Sequence, residues 1–162
     1  MRSSMKQRGF TLIEVLVVIG IIAILAAIVV VAINPARQFS QANNSQRSSN
    51  VNTLLNGIGQ LLADHKGVLT GCPALTSGVV YTIAKTGTFV APATAVIDMA
   101  CLTPTYIAAG LPFDPSDTLA KWVDATDYNT GYNVTWDSTS GRYTVSAPST
   151  QLPTTVDISV TR

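Results

Sequence analysis

This sequence has little charge, little histidine and little cysteine. Only 12% of its 162 residues are charged, and the net charge is +1. That excludes a field over the whole surface of the kind that gathers nucleic acid. The single histidine, His65, stands between Asp64 and Lys66, and no recognisable nucleophile motif accompanies it. Catalysis is therefore not expected, and a place at a helix end suits His65 to capping carbonyls. No internal repeat or low-complexity segment breaks the chain. There are two cysteines, Cys72 and Cys101.

Against that background the N-terminus stands out. Met1 to Gly9 carries Arg2, Lys6 and Arg8 and no acid. Phe10 to Ile33 follows, an apolar run whose one charge is Glu14. As a helix the run is roughly 36 Å long, enough to cross a bilayer core of about 30 Å. The basic leader places the N-terminus in the cytoplasm. A conventional secretory signal is cut after its apolar stretch, at small residues. Here the small residue, Gly9, comes before the stretch. A cut there keeps the apolar segment and lowers Lys+Arg from 10 to 7 against 9 Asp+Glu. A carboxylate inside a membrane helix is costly and calls for a partner.

Beyond the run, Asn34-Pro35 predicts a kink, because proline lacks a helical donor and crowds the carbonyl four residues back. Val51, Leu54, Leu55, Ile58, Leu61 and Leu62 then recur at helical spacing and form one apolar stripe. Gln46, Arg47, Asn50, Asn56 and Gln60 fall off that stripe. Lys66-Gly67 reads as the helix end. From Val68 onward the composition turns to Thr, Ser, Gly and short β-branched runs. Val79–Ala84, Thr88–Val90, Ala95–Met99, Gly131–Trp136, Arg142–Ala147 and Val156–Thr161 are candidate strands; Thr103–Gly110 is ambiguous between a helical turn and a strand. Asp137 to Gly141 between two alternating runs is a hairpin signal. The expected class is α+β: a long helix with a membrane half (10–33) and an amphipathic half (34–66), packed on an antiparallel sheet of three or four strands within 67–162.

The cysteines lie on the exported side if the basic end stays inside. One disulfide is the simplest outcome in an oxidising compartment; two buried thiols are the alternative. The aromatics Tyr128, Tyr132, Trp136 and Tyr143 suit core and cross-strand packing.

The motif Gly9-Phe10-Thr11-Leu12-Ile13-Glu14, followed by some twenty apolar residues, resembles the class III signal of type IV pilins and of secretion and competence pseudopilins. The resemblance implies cleavage by a prepilin peptidase between Gly9 and Phe10 and N-methylation of Phe10. It implies a single-pass precursor in the bacterial inner membrane, which an assembly platform builds into a homopolymer or a copolymer with other pilins. The product is an extracellular filament for adhesion, motility or DNA uptake, or alternatively the periplasmic pseudopilus of a type II secretion system. From another class, a membrane-anchored binding domain that never polymerises fits the same segment. In a filament, the Phe10 amine of a neighbouring subunit is the natural partner for Glu14, and a pair formed in only one register penalises slips.

One further resemblance concerns Leu111-Pro112-Phe113-Asp114-Pro115, which looks like the stretch preceding the calcium loop of major pseudopilins. Asp114, Ser116, Asp117, Asp124 and Asp127 supply candidate oxygens, although their spacing is not that of an EF-hand. Calcium is the only cofactor suggested. Arg37 and Arg47 are candidates for pairing with acids of neighbouring subunits, or for facing water.

Overall fold

The computed structural model describes residues 9–85, 95–148 and 158–162. Most of the leader, the candidate strand Thr88–Val90 and the first two residues of Val156–Thr161 lie outside them. The chain divides into two compact units, Met1–Gln38 and Phe39–Arg162.

In the first unit, α1 spans Leu12–Ile33. Its start is set locally. Thr11 is extended, with φ −78° and ψ 151°, and its side chain accepts from the Glu14 backbone N–H, while the Glu14 carboxylate turns back to the Thr11 N–H. This is a capping box, which satisfies two orphan donors of the first turn reciprocally. Every described side chain of α1 is exposed. By length and composition, Leu12–Val30 is a candidate membrane span.

The Asn34-Pro35 interruption is one residue long. Asn34 leaves the helix at φ 46°, a left-handed conformation that asparagine tolerates. Pro35 then opens α2, Pro35–Asp64, at the first helical position, where its missing N–H costs nothing. The Asn34 Oδ1 accepts from the Arg37 N–H at 3.3 Å, so the residue that closes α1 also caps α2. At the far end Lys66 and Gly67 both have positive φ, and the Gly67 N–H reaches the Leu62 carbonyl at 2.7 Å. That contact closes the helix as expected.

In the second unit, Val51, Leu54, Leu55, Ile58 and Leu61 of α2 are buried in a core with Ile83, Ile97, Tyr128, Tyr132, Val134 and Val145 of the sheet. The strands are β1 (Tyr81–Ala84), β2 (Ala95–Ile97), β3 (Lys121–Asp124), β4 (Asp127–Asp137), β5 (Arg142–Ala147) and β6 (Ile158–Thr161). Their order is β2-β1-β4-β5-β6, with β3 also paired to β4. The sheet is mixed rather than antiparallel, because β1 and β2 run parallel. Both were legible as strands, but a short β-branched run carries no information about its neighbour's direction. The described residues form six strands in one sheet, against the three or four expected, and five of the six fall on candidate strands. The addition is β3, whose residues are half-buried or exposed without alternation, so no period-2 signal marked it.

The β4–β5 hairpin follows the sequence closely. Trp136 pairs with Tyr143, their rings 6.3 Å apart, and the Asp137 carboxylate accepts from the Thr139 N–H and the Ser140 hydroxyl within the turn. The Thr103–Gly110 segment is turns, preceded by a short 3-10 helix over Ala100–Leu102.

Candidate functional site

Gly9 and Phe10 stand outside α1 in exposed, non-helical backbone, and Phe10 is 89% exposed. The capping box explains why. With Thr11 as N-cap, the helix cannot include the two residues before it. Glu14, on the first turn, uses one oxygen twice: Oε2 accepts from the Thr11 backbone N–H at 2.7 Å and from the Thr11 hydroxyl at 2.8 Å. Gly9 and Phe10 thus lie just ahead of the helix, and Glu14 lies on its first turn.

Cys72 and Cys101 form a disulfide, with Cα atoms 5.4 Å apart and a sequence separation of 29. It ties the chain just after α2 to the short 3-10 helix, next to the buried Met99 and Leu102.

The acid-rich segment is arranged differently from a metal loop. Asp114 is fully buried, and its Oδ2 accepts from the Arg47 Nε at 2.8 Å. Its Oδ1 accepts from the Ser116 N–H and hydroxyl at 2.8 and 2.5 Å. Asp117 accepts from the Leu119 N–H at 2.9 Å. Asp124 accepts from the Thr126 N–H, the Thr126 hydroxyl and the Asp127 N–H, which shape the β3–β4 turn. Asp127 pairs with Lys121 at 2.7 Å. Among the described residues, no three carboxylate, imidazole or thiol side chains form a group able to hold a metal.

Arg47 corrects the sequence-based expectation. It lies off the apolar stripe, so pairing with a neighbouring subunit or facing water was expected. Instead it is 1% exposed, and its other nitrogens donate to the Asn44 side chain at 3.2 Å and the Ala147 carbonyl at 3.1 Å. Asn50, one turn along the same face, is also buried, donating to the Phe113 carbonyl at 3.0 Å and the Tyr132 hydroxyl at 2.9 Å. Polar residues three apart on a helix share a face. That spacing was the available signal, but the distant acceptors lie in the segment around Asp114, in β4 and in β5, far along the chain.

Residues 4–30 match the family model for the prokaryotic N-terminal methylation motif. The chain therefore carries the class III signal motif of type IV pilins and pseudopilins at its N-terminus. No curated protein and no solved structure matches the chain.

Proposed function

We propose that this chain is a non-catalytic structural subunit of a type IV pilus-like filament, trimmed between Gly9 and Phe10 and polymerised through α1. One observation carries the proposal. The methylation motif opens onto a helix with no buried side chain described, so its apolar surface needs either lipid or other copies of itself. In the precursor, lipid of the inner membrane covers α1; in the filament, helices of neighbouring subunits do. Adhesion energy comes from that burial, and Glu14 selects the register. The capping box keeps the carboxylate hydrogen-bonded before assembly, so the monomer does not hold a bare charge in lipid.

The pseudopilus alternative rested on the acid-rich segment. Its acids are engaged by Arg47, Lys121 and local turns, and the N-terminal motif fits both filaments equally. Two measurements test the proposal. Mass spectrometry of the mature chain is expected to show an N-terminal methylated Phe10. Electron microscopy of material sheared from cells is expected to show filaments containing this chain. An intact Met1–Gly9 leader on the exported protein would rule the reading out.

A further inference from the structure

Leu111 to Pro115 looks like the stretch that precedes a calcium loop, yet its buried acid, Asp114, is already paired with a cation from α2, Arg47. We propose that the Arg47 guanidinium is a built-in counter-ion that takes the place of an external divalent ion, so that the globular unit folds and keeps its loop without calcium.

Three observations carry this. The first is geometric. Calcium needs six to eight oxygens at roughly 2.3–2.6 Å. The Asp114 carboxylate is the one acid deep enough to anchor the segment, at 0% exposure. Both of its oxygens are engaged, by Arg47 on one side and Ser116 on the other. No exposed face is left through which water could complete a coordination shell. The second is electrostatic. A dication placed on Asp114 would sit beside a buried guanidinium that is held by three separate acceptors. It would have to expel a charge whose own burial depends on this pair. Asp117 lies close by, its Oδ2 meeting Asp114 beside Gly131, but Asp124 and Asp127 are used at the β3–β4 turn and by Lys121, and among the described residues no three such side chains gather to hold a metal.

The third observation concerns what the guanidinium reaches. Its planar fork joins three parts of the unit: Asp114 in the loop, Asn44 one turn back on α2, and the last carbonyl of β5. Meanwhile the Asp114 N–H donates to the Thr130 carbonyl at 2.8 Å. The loop thereby continues the hydrogen bonding of β4 between the stretch paired with β3 and the stretch paired with β5. Gly131 lets it approach. Its φ is +73°, and a Cβ there would come within 3.1 Å of the Asp114 Cβ. Arg47 thus does for this loop what a metal does elsewhere, binding distant oxygens around one positive centre. It is covalently attached and cannot be chelated away.

The test uses the full chain in detergent and does not depend on polymerisation. Thermal unfolding of the wild type is expected to have the same midpoint in excess EDTA and in excess calcium. A calcium site occupied at a hundredfold excess over its dissociation constant would raise that midpoint by roughly 10 °C. Any rise with calcium, or any fall with EDTA, overturns the proposal. Arg47→Met leaves Asp114 buried without its counter-charge and is expected to lower the midpoint by about 10 °C or more. Adding Asp114→Asn removes the stranded charge and is expected to recover a large part of that loss. A double variant no more stable than Arg47→Met would also overturn the proposal, because Arg47 would then not be acting on Asp114.

Discussion

Single side chains here are held in place by hydrogen bonds to residues distant in sequence, and two tyrosines make this measurable. Burial pushes the Tyr132 phenol up from its ordinary value of 10.0 to about 12; the Asn50 hydrogen bond partly opposes the shift, and the Asp114 charge adds to it. Burial also raises Tyr128, and its bond to Asp98 reinforces the shift, with the hydroxyl donating to Oδ1 at 2.6 Å. A raised pKa means that the folded state holds the proton more tightly than the unfolded state. Stability from these groups is complete below pH 10 and is lost as pH rises through 10 towards 12. Unfolding measured across that range is expected to show a steep alkaline decline, with tyrosinate absorbance appearing late. Tyr132→Phe costs on the order of 1 kcal/mol at neutral pH, because Asn50 loses its acceptor, but it flattens the alkaline slope. An unchanged slope in that variant would show that Tyr132 does not titrate with unfolding.

At the level of elements, legibility followed periodicity. Both halves of the long helix, its end at Gly67 and the β5 boundaries were written in spacing and in turn residues, which act locally. The direction of β2, the existence of β3 and the burial of Arg47 were not. Each depends on a partner far along the chain, and no local propensity encodes a partner. The candidate site divides the same way. Gly9, Phe10 and Glu14 form a contiguous motif. The Arg47–Asp114 pair spans 67 residues and became visible only in the fold. Within α1 the most informative substitution is Glu14→Ala. It removes the capping box as well as the charge, costing the helix about 1 kcal/mol or less locally. That loss is small beside the burial of a helix of 22 residues, so the precursor is expected to remain membrane-inserted. Under the proposed register role, filament number on cells is expected to fall steeply, because axial slips would no longer be penalised. Filaments of normal number and length in Glu14→Ala cells would refute the register role. Thr11→Ala disrupts the same cap while leaving the carboxylate in place, so it separates helix capping from assembly.

For the molecule as a whole, the division at Gln38 and Phe39 follows from where apolar surface is satisfied. The first unit presents apolar side chains and buries none of those described. The second encloses its own core, running from Val51 on α2 to Val145 and Ala147 on β5, and locks it with the disulfide and the buried ion pair. Among the described residues, no buried side-chain nitrogen or oxygen lacks a hydrogen bond. Among the described residues, the core is drawn from the second unit alone. A chain beginning at Phe39 and exported to an oxidising compartment is therefore expected to be soluble without detergent. It should unfold in one cooperative transition near the midpoint of the full chain. The start of α2 will fray, since Phe39 is 71% exposed and the first buried residue of the helix is Arg47. Removing that turn leaves the Arg47 contacts to Asn44, Asp114 and Ala147 intact. If the shortened chain aggregates or melts without cooperativity, then α1 contributes to folding as well as to assembly, and the two roles assigned to the two units are not separable.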